Sequence, residues 1–123
     1  MLKKLNIRNA TKLYWLCCKN NQLTELDLST NEKLSTVYCE NNRLEILTLG
    51  KKKKLTILVS SGNKIKKLDI RKSPVLQLLY ETIPVKTRGV VSWIYISMET
   101  GPLVLSADNT TEIITGPITE TIG

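Results

Sequence analysis

A step of 21 residues runs through this chain. Leu13, Leu34, Leu55 and Leu76 keep it, as do Leu16, Val37, Leu58 and Leu79. Leu26, Leu47 and Leu68 keep it, with Leu28, Leu49 and Ile70 two residues further on, and so do Asn21, Asn42 and Asn63. A sequence that resembles itself at a fixed period in the twenties folds as a stack of like units. Each unit then touches its neighbours and little else. The step directs the search for function toward a stacked surface and away from a catalytic cleft.

Within one unit the apolar spacing is Leu13-x-x-Leu16-x-Cys18-x-x-Asn21-x-Leu23, followed by x-x-Leu26-x-Leu28. Leu16 and Cys18 alternate with outward residues, as a short strand requires, and Leu26 and Leu28 do the same on the opposite side of the coil. Parallel strands stack at about 4.8 Å. Each coil places six or seven apolar side chains inside, at roughly 1.5–3 kcal/mol per fully buried side chain before the entropy cost. Asn21, Asn42 and Asn63 fall where the chain leaves the strand. Their side chains are expected to bond backbone groups of their own coil and the adjacent one. The second half of the unit has no such ladder by sequence: Ala10, Lys52 and Ser73 stand where Asn31 does. That side of the coil is expected to be looser.

The repeated Leu13, Leu16, Cys18, Asn21, Leu23, Leu26 and Leu28, with their equivalents in the next two units, resemble the leucine-rich repeat. The match is to the 21-residue nested class found in bacterial surface proteins, over residues 2–83. The resemblance implies a horseshoe-like solenoid, mainly β, with short parallel strands and little helix. It also implies a non-catalytic binding role for a protein or a glycan, and a place outside the cell or on its surface. It names no ligand. Met1 to Arg8 lacks the apolar stretch of a secretory leader, so by the residues alone the chain is cytoplasmic or trimmed.

Placing every residue on the step sorts the outward ones into columns. Trp15, Thr36, Ile57 and Leu78 form the first, and Cys17, Tyr38, Val59 and Tyr80 the second. Lys19, Glu40, Ser61 and Thr82 form the third. Two columns are largely apolar or aromatic, which on a solvent-facing sheet calls for a partner. Trp15, Cys17, Tyr38, Ile57, Val59, Leu78 and Tyr80 are therefore the candidate binding residues of the concave face. Cys18 and Cys39 share an inward position with Ser60 and read as buried small residues. Cys17 is the one candidate reactive thiol. Three Cys without His or a C-x-x-C pair form no credible zinc site.

The chain carries a formal charge of +7, and all 18 Lys and Arg precede position 89. Lys51, Lys52, Lys53 and Lys54 are consecutive, and Lys64, Lys66 and Lys67 follow within one unit. They read as a basic patch on loops and the convex side. Without interleaved aromatic residues the patch is a poor platform for bases, so nucleic acid is an unfavoured partner. No cofactor motif, paired carboxylates or nucleophile set is visible. No apolar run approaches the length needed to span a membrane.

The fourth unit starts at Leu76 and fails at Pro84. This divides the chain into a repeat region, residues 1–84, and a β-rich C-terminal cap, residues 85–123. In the cap, Gly89 to Met98, Leu103 to Ser106 and Glu112 to Thr115 read as strands. The cap is expected to cover the end of the stack or to fold over the concave sheet. Leu2, Leu5 and Ile7 match Leu23, Leu26 and Leu28, so the chain opens in mid-unit. That uncapped end is expected to pair with a second copy or to continue into further sequence. A structural or assembly segment of a larger surface protein is the alternative to a binding module.

Overall fold

The computed structural model describes residues 1–81, 92–97 and 101–116. Six three-residue strands come first: β1 (Trp15–Cys17), β2 (Glu25–Asp27), β3 (Thr36–Tyr38), β4 (Ile46–Thr48), β5 (Ile57–Val59) and β6 (Lys67–Asp69). Then come α1 (Pro74–Glu81), β7 (Ser92–Ser97), β8 (Gly101–Ser106) and β9 (Glu112–Ile114). The architecture is mainly short parallel strands with one small helix, compatible with a repeat-type β-solenoid.

The step in sequence becomes a register in space. Leu16 pairs with Val37 and Val37 with Leu58, each 21 residues on. Leu26 pairs with Leu47 in the same way. In β2 to β6 the middle residue is buried and its two neighbours are not. Leu23, Leu34, Leu44 and Leu55 at the bends are fully buried, so the core runs unbroken along the stack.

The Asn residues close each bend. Asn42 Nδ2 donates to the Cys39 carbonyl of its own coil at 3.1 Å and to the Cys18 carbonyl of the preceding coil at 3.0 Å. Its Oδ1 accepts the Leu23 N–H at 3.1 Å. Asn63 repeats the arrangement on Ser60, Cys39 and Leu44. Asn21 holds Cys18 in its own coil and takes the Leu2 N–H at 2.9 Å. One residue earlier, Asn20, Asn41 and Gly62 share a left-handed backbone, with φ of 59, 58 and 71°. Asn tolerates this conformation and Gly adopts it freely. At Gly62 a Cβ would also overlap Asn41 Oδ1.

Strand pairing on the second side is interrupted between β4 and β6, as a looser side requires, but the side-chain ladder is not broken at Lys52, contrary to the sequence expectation. Lys52 is fully buried and does not belong to the surface patch. Its Nζ donates to the Leu28 carbonyl of the preceding coil at 2.6 Å and to the Leu49 carbonyl of its own. These acceptors lie 24 and three residues back, the same offsets that Asn42 uses. Asn31 holds Ile7 and Ala10 on the same side, both at 2.9 Å. A long flexible stem lets the Lys52 ammonium reach back 24 residues as the Asn31 amide does one unit earlier, while its second bond goes to its own coil where that of Asn31 goes to the coil before.

The fourth unit departs most from expectation. Residues 74–81 form a helix, so Leu78 and Tyr80 are not on a strand. Ser73 stands at its N-cap position with its carbonyl accepting the Gln77 N–H at 2.9 Å, and Pro74 opens the first turn. Leu76, Leu79 and Tyr80 face the core at helical spacing, while Leu78 is 60% exposed. The fourth place in each ladder is taken later in the chain. Leu58 pairs with Leu105 of β8 and Leu68 with Ile113 of β9. Ala107 sits in the small inward slot of Cys18, Cys39 and Ser60, and all four are buried. The strand expected over 89–98 is described at Ser92–Ser97, antiparallel to β8 at the edge of the sheet. The Asp108 carboxylate accepts the Gly62 and Asn63 N–H groups at 2.8 and 3.0 Å, tying this last unit to the third. Thr82, Pro84 and the ends of the tail lie outside the described residues.

Lys52→Met strands the Leu49 carbonyl and leaves Leu28 with the Asn31 N–H alone. It should destabilise the fold by about 1–3 kcal/mol, and Lys52→Asn by less, in urea unfolding. Burial, partly opposed by Glu32 and Asp27, lowers the Lys52 pKa. The folded chain then binds fewer protons than the unfolded one between the two values, so stability rises with pH through that alkaline window. The difference in unfolding free energy between wild type and Lys52→Asn should grow from neutral pH toward the unfolded lysine range. A difference independent of pH would refute this.

Candidate functional site

The outer surface of the five-stranded sheet, ordered β1-β3-β5-β8-β7, carries the candidate site. Parallel register aligns Trp15, Thr36, Ile57 and Val104 in one column. Cys17, Tyr38, Val59 and Ser106 form the next. Val104 and Ser106 thus occupy the places assigned by sequence to Leu78 and Tyr80. The reason is spacing: L-x-x-L fits both one coil of the repeat and one turn of helix, and Ser73-Pro74 favours the helix. Tyr80 is half-buried against the core, and the helix keeps it and Leu78 off this sheet.

Trp15 and Tyr38 come together. Their ring centroids are 6.1 Å apart at an interplanar angle of 60°, within the range of attractive tilted aromatic pairs. Trp15 remains 51% exposed. It lies on the outermost strand, since β1 pairs with β3 on one side and has no strand neighbour on the other among the described residues. Ile57 and Val59 are partly exposed beside the pair. Lys19 and Glu40 stand at its polar border, and Glu40 Oε1 is buried with no hydrogen-bond partner among the described residues. The described strands of the tail extend the two ladders at their far end and do not lie across this face.

The cysteines divide as their positions require. Cys17 is exposed on the aromatic face, while Cys18 and Cys39 are buried, and none forms a disulfide. Burial, with smaller contributions from Cys17 and Glu40, pushes the Cys18 thiol up to about 11. Burial raises Cys39 further, and its Sγ lies 3.5 Å from the Val59 carbonyl. Among the described residues no group of three Cys, Asp or Glu is placed to hold a metal ion.

The basic residues do not form one patch. Lys51, Lys53 and Lys54 are exposed on the loop between β4 and β5. Lys64 and Lys66 are exposed on the bend between β5 and β6, at the opposite edge of the coil, and Lys67 opens β6. Asp27 and Asp69 accept N–H groups two residues ahead, at Ser29 and Arg71, which makes them turn residues. Arg71 also pairs with Asp69 at 2.8 Å, and that bonding lowers the Asp69 pKa.

Comparison with family models, with curated proteins and with solved structures found no match. Among the described residues no helix is long and apolar enough to cross a membrane.

A thiol reagent at neutral pH should label one cysteine per native chain, at Cys17, and Cys17→Ser should abolish that labelling. Cys18 and Cys39 should react only on unfolding. Rapid labelling of two thiols would contradict the packing described.

Proposed function

We propose that the chain is a leucine-rich repeat solenoid of the 21-residue nested class. In this reading it is a non-catalytic binding module that engages a protein or glycan through the face of the five-stranded sheet. The observation that carries the reading is the Trp15–Tyr38 pair, half-open to solvent on a rigid parallel ladder beside Ile57 and Val59. Aromatic side chains lose little conformational entropy on binding and offer both an apolar body and a polar edge. They serve equally as anchors for a partner protein and as stacking surfaces for sugar rings. Lys19 and Glu40 supply the polar rim such a patch needs. The sequence resemblance to bacterial surface repeats supports a role outside the cell or on its surface.

The alternative is an assembly segment of a larger surface protein. Its support is the side of β1 that has no strand neighbour among the described residues, beside exposed Tyr14, at 69%, and Leu2, at 47%. An unpaired strand edge flanked by apolar side chains is a template for another strand.

Screening the chain on glycan arrays and by protein capture tests both. A ligand of the face should lose at least about tenfold in affinity on Trp15→Ala or Tyr38→Ala, with the fold intact by circular dichroism. Unchanged binding of every captured ligand in both variants would refute the face as the site. Concentration-dependent self-association abolished by charges placed on β1 would favour assembly.

A further inference from the structure

We propose that the return-loop edge of the stack holds a second binding site, for a linear anionic polysaccharide. Lys12, Lys33 and Lys54 are spaced by 21 residues, lie on the loops that lead into β1, β3 and β5, and are all exposed. Those loops are stacked directly. Thr30 Oγ1 donates to the Arg8 carbonyl at 2.8 Å, Asn31 Nδ2 to Ala10 at 2.9 Å, and the Lys52 N–H to the Lys72 carbonyl at 2.9 Å. The three lysines therefore rise along the stack at about the strand spacing of 4.8 Å. Lys51 and Lys72 keep the same step beside them. Among the described residues none of these five lysines has an ion-pair partner, and Glu32 is the one acidic residue on the loops.

Like charges closer than the Debye length of about 8 Å repel at physiological salt. A fixed column of them is relieved by an anionic chain laid along it, which releases the counterions the column would otherwise gather. The shape of the site selects the partner. The row is one lysine wide at the first two coils and widens to Lys51, Lys53 and Lys54 only at the third, too narrow along most of its length to grip a duplex. The loop segments 8–12, 29–33, 50–54 and 71–74 contain no aromatic residue, and exposed Tyr14 beside Lys12 is a single ring where successive bases need several. The cations of the column are lysines, point charges on flexible stems, which suit sulfate and carboxylate groups at variable spacing. The site is separate from the aromatic face, so it stands whether or not that face binds anything.

The test uses the whole chain with heparin as probe, neutral dextran and duplex DNA as comparisons, and salt as the variable. Lys12→Gln, Lys33→Gln and Lys54→Gln combined should weaken heparin binding at least about tenfold and flatten its salt dependence by about two to three charges. The same number of charges removed at Lys64 and Lys66, on the opposite edge, and at Lys67, which opens β6, should change binding by less than about threefold. Trp15→Ala should leave it unchanged. Four outcomes overturn the proposal: no heparin binding at low salt, equal loss from the two triple variants, duplex DNA bound as tightly as heparin, or loss of heparin binding in Trp15→Ala.

Discussion

The structure depends on one recurring interaction: an inward side-chain donor that bonds a carbonyl of the coil before and, at Asn42, Asn63 and Lys52, a carbonyl of its own coil as well. A tight bend every ten or so residues turns backbone carbonyls inward, where water cannot reach them. Left alone they would offset what the leucines contribute. Asn42 and Asn63 satisfy them on one side, and Lys52 and Asn31 on the other. Because each donor reaches back to the previous coil, it fixes the distance between units as well as the bend within one. The leucine core then fills a frame whose spacing is already set.

Lys52 shows that chemistry, not residue identity, is selected at these positions. The site needs a donor at the end of a reach, and an ammonium has three. Burying it costs desolvation, visible in its lowered pKa, and Glu32 and Asp27 soften that cost. Ser73, at the next equivalent position, is also buried, but its hydroxyl has no partner among the described residues. There the chain abandons the coil and becomes α1. The ladder ends where no side chain is long enough to bridge the carbonyls and where Pro74 opens a helix.

The parts of the fold readable in the sequence are those governed by the step. Leu26, Leu47 and Leu68, the small slot of Cys18, Cys39 and Ser60, and the Asn bends all declare themselves because one position has one environment in every unit. Sequence and structure diverge where two patterns share a spacing or where chain and space part company. Leu76 and Leu79 satisfy the repeat and a helix alike, so the spacing alone puts Leu78 and Tyr80 on a strand. The fourth ladder position is filled by Leu105, 47 residues after Leu58, and no fixed period can announce a partner at a different offset. The sequence places Lys52 at the surface because lysine usually is exposed, and only the carbonyls around it reveal the role. Of the candidate face, Trp15, Cys17, Tyr38, Ile57 and Val59 stand together as their columns require.

The same frame limits where function can reside. Inward positions are held by packing, and bend positions by the carbonyls they must satisfy. Substitution is free only on the outward columns and the loop edges. On one of these the chain carries Trp15 and Tyr38 where a soluble sheet would be served by Thr or Lys. On another it stacks Lys12, Lys33 and Lys54 where alternating signs would be more stable. The Trp15–Tyr38 pair steadies β1 against β3 while leaving Trp15 half-exposed, and the lysine column does not help the fold, so each departs from what solvent alone would favour. The first is apolar and indifferent to salt, while the second is ionic and weakened by it. Under the two proposals the surfaces lie apart on one ladder and differ in their response to salt, so salt titration separates a ligand of one from a ligand of the other.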